Sequence, residues 1–354
     1  MTSIAPINPA PTDAAVALSE EWLSAVLSNR QERVRVSSVR TVETLHTRAT
    51  KIRFEADADT PRGSQTLRLC VKGFFGTNPL PPGMARNGQA EVQYYRTFGA
   101  RTSVASPVVR YAAIDRASGH GILLMDDVIA AGGTFFTALD PYSFDQARMS
   151  VQQLALLHSE HWGRLQEPQY GSLVDRLQAF ASEPVIPHDE LQELLDGERG
   201  ETLPGELRDA RRLHEGVRQL AEHSRRGEHT VVHGDAHAGN LFAIDGTVAL
   251  IDWQLVQRNH WALDVAYHLG SSLTVVMRRE HEQALLRHYL DGLRAGGVHP
   301  PTWDDAWANY RRFMLYGYYL WAITRFVERP VTLELVKRLG TAVGDLGSLL
   351  AERG

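Results

Sequence analysis

Residues 231–253, VVHGDAHAGNLFAIDGTVALIDW, decide how the rest of the chain is read. Two apolar runs, Val231-Val232 and Leu241 to Ile244, enclose a polar loop that carries His233, Asp235, His237 and Asn240. Asp245-Gly246 follows, the pair a two-residue hairpin turn asks for, because both of its central positions need positive φ. The returning run, Val248 to Ile251, ends on Asp252. A polar loop, a hairpin and a second carboxylate thus fall within one short unit. Asp235, Asn240 and Asp252 are hard oxygen ligands or a base, which is what magnesium and a phosphoryl-transfer centre require.

Upstream of this unit the pattern is mostly that of strands. Val34 to Val42, Thr50 to Ala56 and Thr66 to Lys72 read as extended runs. In the last, Leu67, Leu69 and Val71 alternate with Arg68, Cys70 and Lys72, so period two puts Lys72 on the face opposite the apolar row. A loop rich in Gly and Pro (73–88) precedes a helical stretch from Gln89 to Phe98, and two further strands are expected over 107–114 and 121–125. Ahead of them all, Ser19 is placed to cap a short amphipathic helix carrying Trp22, Leu23, Val26 and Leu27. Residues 1–17, rich in Pro and Ala, read as a flexible arm.

After Asp127 the period changes. Ser143 and Gln146 form an S-x-x-Q capping box ahead of Phe144, Ala147, Val151, Leu154, Ala155 and His158 at helical spacing. Another helix is marked by Leu207, Ala210, Leu213, Val217 and Leu220. Beyond Trp253 nearly everything is helical in pattern, over roughly 262–276, 280–295, 303–327 and 331–350. The expected fold is therefore α+β: an N-lobe over 18–127 with a small antiparallel sheet and one helix, then a larger, mainly α C-lobe over 128–354.

Bulk composition narrows the function. With 43% apolar and 22% charged residues, the chain is that of an ordinary soluble globular protein. A net charge of −5 and the lack of a Lys/Arg block speak against a nucleic-acid partner. No apolar run approaches the ~20 residues of a membrane helix, and the N-terminal stretch does not read as a secretion signal. One cysteine, Cys70, excludes an internal disulfide framework. The expectation is a cytoplasmic protein whose partner is a small molecule, with neither nucleic acid nor membrane.

The chemistry of residue types then assigns parts. Phosphoryl transfer asks for a base near the acceptor hydroxyl, oxygen ligands for metal ions on the phosphates, and a cation for the phosphates that stay behind. Asp235, then Asn240 with Asp252, then Lys72 fit those parts in turn, and Glu91 is the carboxylate placed to orient Lys72.

H-G-D-x-x-x-x-N followed by I-D-W resembles the motif of the aminoglycoside phosphotransferase and choline kinase superfamily, whose fold is protein kinase-like and bilobal. IDWQLVQRNHWALDVAYHLGSSL (251–273) most resembles the ecdysteroid kinase-like branch, in which I-D-[FW]-Q and a downstream D-x-A-Y recur. The likeness runs from about Leu67 to Leu290. It implies an ATP- and Mg2+-dependent kinase acting on a hydroxylated small molecule. Asp235 would be the catalytic base, Asn240 and Asp252 the metal ligands, Lys72 the phosphate lysine and Glu91 its partner. The stretch 124–128, with Met125, Asp126 and Asp127, would be the hinge that meets adenine, and Asp264 a buttress of the catalytic loop. Where the family carries glycines in its N-terminal hairpin, this chain has Thr44 to Thr50 with none, so Thr47 and Arg48 would supply donors and charge instead.

Bland readings stand beside these. His233 reads as structural support by hydrogen bonds to backbone, and His237, at the motif's free position, as a candidate for substrate contact. Trp303, Trp307 and Tyr310 open an aromatic series read mainly as core, with some rings lining an apolar acceptor pocket. The leading acceptor is a lipophilic alcohol, steroid- or polyketide-like. Two alternatives stay open: a nucleotide-binding kinase-like protein without catalysis, prompted by the missing glycines, and a metal-dependent hydrolase using His233, Asp235 and His237.

Overall fold

Alternation of apolar and polar side chains builds the first part of the structure. In this computed structural model, which describes residues 8–29, 32–77 and 79–349, strands β1 (Arg35–His46), β2 (Thr50–Thr60) and β3 (Gly63–Gly73) run as antiparallel neighbours. Strands β4 (Val109–Ile114) and β5 (Gly121–Asp126) complete a five-stranded sheet of order β1-β2-β3-β5-β4. Ile52, Phe54, Ala56, Leu69, Val71, Ile122 and Leu124 form a buried cluster with Trp22 and Leu23. The last two lie on helix α2 (Glu20–Leu27), which Ser19 caps by accepting the Trp22 N–H. Burying side chains of this size contributes about 2 kcal/mol each.

The flexible arm expected over 1–17 needs correcting. Its first seven residues lie outside the described residues, and the remainder is packed. A short turn of helix, α1 (Ala14–Ala17), precedes α2, and Ala10 and Ala17 are fully buried in the same cluster. Trp22 Nε1 donates to the Asn8 carbonyl, and Tyr111 Oη to that of Pro9. Proline and alanine lower local helix and strand signals, but small side chains are what a close approach to the sheet admits.

On the opposite face lies α3 (Pro82–Tyr94), which continues as a wider turn over Tyr95–Gly99. It starts seven residues earlier than Gln89, inside the expected Gly/Pro loop, because Pro82 sits in its first turn, where the missing N–H costs nothing.

The chain divides into two units, 1–101 with 107–133, and 102–106 with 134–354, so the division falls after Gly133 rather than Asp127. The short segment 102–106 goes with the second unit because its backbone is tied there. Ser103 N–H donates to Glu160, Ala105 N–H to Gln153, and the Ala105 carbonyl accepts from Leu250 N–H.

The second unit is mainly helical. After the two-residue strand β6 (Thr134–Phe135) comes α4 (Phe144–His161), with both halves of the Ser143–Gln146 capping box formed. Then follow α5 (Arg176–Ser182), α6 (His188–Asp196) and α7 (Ala210–Ser224). Strands β7 (His229–Val232), β8 (Leu241–Ile244), β9 (Thr247–Leu250) and β10 (Gln257–His260) frame the central motif. They are followed by α8 (Ala262–Ser272), α9 (Val275–Ala295), α10 (Trp303–Ile323) and α11 (Arg329–Leu346). The β8–β9 hairpin closes on Asp245 and Gly246, at φ 49° and 75°, as the turn residues require. Among the described residues no helix is long and apolar enough to cross a membrane.

Candidate active site

In the first unit, Lys72 on β3 and Glu91 on α3 meet as a buried ion pair. The Lys72 ammonium lies 2.9 and 2.8 Å from the two Glu91 carboxylate oxygens, and both side chains are about 5% exposed or less. A lysine at this burial is not a solvent-facing strand residue. Period two aims it at the helix face, and Glu91 offsets the cost of desolvating it. Glu91→Ala should therefore destabilise the first unit by about 3 kcal/mol, more than Glu91→Gln. Calorimetry checks this, and an unchanged midpoint for the alanine variant would contradict it.

The stretch 124–128 is held by its side chains. Asp126 receives two hydrogen bonds from Arg110, at 2.7 and 2.8 Å, and Asp127 receives Arg53 Nε at 3.0 Å as well as the N–H of Ile129 and Ala130. Met125 is buried. Both carboxylates are thus engaged, and the N–H groups of Asp126 and Asp127 donate to the Val108 and Arg68 carbonyls. At the β1–β2 turn Thr47 and Arg48 are exposed, and Thr47 Oγ1 donates to the Ala49 carbonyl. Lys51, which the sequence reading passed over, pairs across the strands with Lys72 and donates to Thr47 Oγ1 at 3.4 Å. Antiparallel partners share a face, so the glycine-free hairpin carries a second cation on the side of Lys72.

In the second unit the loop 233–240 is gripped residue by residue from α8. Asp264, fully buried, accepts the backbone N–H of His233 at 2.6 Å and of Gly234 at 2.8 Å. One turn on, Tyr267 Oη donates to Asp235 Oδ1 at 2.9 Å, and His268 Nδ1 meets the Ala236 carbonyl at 2.7 Å. Positions i, i+3 and i+4 share one helix face, so a single face of α8 holds His233 through Ala236. Burial lowers the His268 pKa to about 4. From α10, Tyr316 Oη donates to the Gly234 carbonyl at 2.8 Å. Gly234 itself is demanded: it lies at φ 80°, and a Cβ there would stand 2.3 Å from the Leu255 carbonyl oxygen.

Asp235 is held from two sides. Asn240 Nδ2 donates to its Oδ2 at 3.1 Å and to its backbone carbonyl at 2.8 Å. With the amide nitrogen so committed, Asn240 Oδ1 is the end left to accept a cation. Asp252 follows β9 in the left-handed region, at φ 70°. Its strand is tied to the loop by Ile251 N–H donating to the Asn240 carbonyl at 3.0 Å. His237 Nε2 lies 3.9 Å from Asp235 Oδ1, and burial lowers the His237 pKa against the opposing charges of Asp235 and Asp252. Two carboxylates and an amide oxygen form the donor chemistry that suits Mg2+.

His233 is structural. Its Nδ1 accepts from Asp235 N–H at 3.2 Å, its Nε2 faces the Ile251 carbonyl at 3.1 Å, and its ring packs on Trp253. Both nitrogens are engaged with backbone, so neither is presented to a metal shared with Asp235 and His237. The opening of the aromatic series packs on itself. Trp303, Trp307 and Tyr310 stack on one another, with Arg287 over Trp303 and the Tyr310 hydroxyl on Glu282. The far end of α10 reaches the loop instead: Trp321, about 27 Å along the helix from Trp303, donates to the Tyr267 hydroxyl at 2.7 Å and meets the His237 ring edge-on. The sequence reading gave neither Tyr267 nor Trp321 a part beside Asp235, where the hydrogen bonds place them. The D-x-A-Y spacing (264–267) was an available signal for Tyr267, and Trp321 had none beyond its place in the aromatic series.

A model described as the ecdysteroid kinase-like family matches residues 188–296, from α6 to the end of α9. The resemblance is to the ecdysteroid kinase-like family. No curated protein matches the chain in sequence. Among solved structures, the GDP complex of aminoglycoside 2'-phosphotransferase-IIIa is similar at a TM-score of 0.52 and 14% identity, over 88% of this chain and 94% of that one. The Plasmodium vivax ethanolamine kinase is similar at 0.50 and 14%, over 86% and 81%. At such identities the likeness shows the fold, and it is the protein kinase-like bilobal fold expected from the ecdysteroid kinase-like motifs.

Proposed function

We propose that the chain moves the γ-phosphoryl group of ATP to a hydroxyl of a small molecule. The observation that carries this reading is the Asp235 carboxylate, pinned on one oxygen by Asn240 and on the other by Tyr267. An acceptor oxygen would form the new bond to the γ-phosphorus as the bond to the β,γ-bridging oxygen breaks. The hydroxyl proton would pass to Asp235, and ADP would leave. Asn240 Oδ1 and Asp252 would hold Mg2+, which when bound neutralises phosphate charge. Lys72, set by Glu91, would meet the phosphates that stay behind, with Thr47 and Arg48 adding donors. Backbone of 125–127 would meet the base. Such a centre works by positioning and charge rather than covalent chemistry.

For the acceptor, a lipophilic alcohol of steroid or polyketide type is the reading we favour. Its supports are the ecdysteroid kinase-like match and the rings of Tyr267, Trp321 and His237 around Asp235. The test is ADP release from Mg·ATP in a panel of sterols, macrolides, aminoglycosides and small hydroxylated metabolites, with Asp235→Ala as the blank. Release above the blank with a sterol or macrolide is expected. Release only with aminoglycosides would overturn the acceptor class. Thermal stabilisation by Mg·ATP with no release from any acceptor would favour the non-catalytic reading that the glycine-free hairpin prompted.

A further inference from the structure

We infer that Tyr267 and Trp321 form a two-donor relay that positions Asp235, an inference that rests on Asp235 serving the transfer just proposed. Proton accounting gives the relay its direction. An indole Nε1–H can only donate, and a carboxylate can only accept. The phenol between them has one proton and one oxygen. With Trp321 Nε1 at 2.7 Å and Asp235 Oδ1 at 2.9 Å, that proton points at Asp235 and the phenolic lone pair takes the indole hydrogen. The opposite sense is impossible, so the orientation is determined at both ends. Burial and the Asp235 charge push the Tyr267 pKa well above its usual value, so the phenol remains a donor.

Each member comes from a different element, which is what a positioning device needs. Asn240 fixes Oδ2 from the loop itself, and Tyr267 fixes Oδ1 from α8. Trp321 reaches in from the last turn of α10, whose closing carbonyls at Ala322 and Thr324 accept from Arg199. The Asp235 carboxyl plane is thereby held against rotation, and a lone pair of Oδ1 that Tyr267 does not use remains for the acceptor hydroxyl. Neither aromatic residue touches the reacting atoms in this scheme. They act through Asp235.

A spectroscopic cycle tests the relay without any acceptor. The indole Nε1–H resonance of Trp321, assigned by its loss in Trp321→Phe, is followed in wild type, Asp235→Asn, Tyr267→Phe and the Asp235→Asn/Tyr267→Phe double variant. Replacing Asp235 should shift the resonance, and the response should vanish when Tyr267 is phenylalanine, because the phenol is the link. His237 lies against both Asp235 and the Trp321 ring, so a through-space effect would survive in the Tyr267→Phe background. Survival of the full response, or no response at all, would overturn the relay.

The catalytic purpose is read separately, on the acceptor that releases most ADP. Tyr267→Phe should lower kcat roughly ten- to a hundredfold with the KM for ATP within about twofold. Adding Trp321→Phe should cost little more, since the two act in series. Unchanged kcat in Tyr267→Phe would remove the positioning role. If wild type releases ADP with no acceptor, the phosphotransfer reading falls and the positioning role with it, while the spectral cycle still judges the hydrogen-bonded relay.

Discussion

Asp235→Ala should cut phosphoryl transfer roughly a thousandfold, the range typical of losing a positioned general base, and leave the fold intact. The stability half of this expectation follows from the contacts. Asp235 is about a quarter exposed, so its removal opens a space that water can enter beside the buried Tyr267 hydroxyl, which loses its acceptor. Asn240 Nδ2 keeps its second acceptor, the backbone carbonyl of residue 235. Tyr267 keeps the indole hydrogen of Trp321. A net hydrogen bond contributes about 1 kcal/mol, so the thermal midpoint should move by no more than about 3 °C. Binding of Mg·ATP, which draws on Asn240, Asp252 and Lys72, should persist. Steady-state turnover with calorimetry on the same sample decides it. A variant that turns over at the wild-type rate removes Asp235 from the chemistry, and one that unfolds makes its role architectural.

What could be read in advance divides by how far apart the cooperating residues lie. The Asp245-Gly246 turn, the Ser143–Gln146 box and the Ser19 cap are local devices, complete within four residues, and each formed where the residue types placed it. Lys72 with Glu91 needed two elements, but strand alternation and a following helix were enough to pair them. Tyr267 and Trp321 were missed for the converse reason. The first is 32 residues from Asp235 and the second a further 54 along, and no local period says which rings of an aromatic helix face a loop on another element. Aromatic content drew attention to Trp303, Trp307 and Tyr310, which satisfy one another by stacking. Helices α5 and α6 went unread because they are short, and much of each is polar.

The packed stretch after Asn8 and the allegiance of 102–106 were hidden by the same limit. Ala10 and Ala17 carry no periodic signal, yet both are buried in a cluster with strand residues 19 or more positions away. Residues 102–106 are tied to the second unit by a few hydrogen bonds, two to Glu160 and one each with Gln153 and Leu250. Burial of this kind depends on which surface the chain meets, and composition does not encode that.

The second large effect is expected at Asp264, where stability and rate should fall together. Its carboxylate is fully buried and accepts the N–H of His233 and Gly234, with His158 Nε2 at 3.2 Å on the same oxygen as His233. Asp264→Ala leaves two backbone donors without their acceptor in a dry site, each costing about 1–3 kcal/mol, so a loss of about 4 kcal/mol is expected. Asp264→Asn keeps one acceptor oxygen but turns an NH2 toward an N–H, and should cost about half as much. Because the released donors belong to the residues just before Asp235, the carboxylate shifts with them, and displacement of that kind lowers transfer on the order of a hundredfold. The pairing of readouts is what discriminates. Asp235→Ala should lose rate alone, whereas Asp264→Ala should lose midpoint and rate together. A normal midpoint and normal turnover in Asp264→Ala would mean that the face of α8 does not hold the loop, and the geometric basis for the Asp235 reading would go with it.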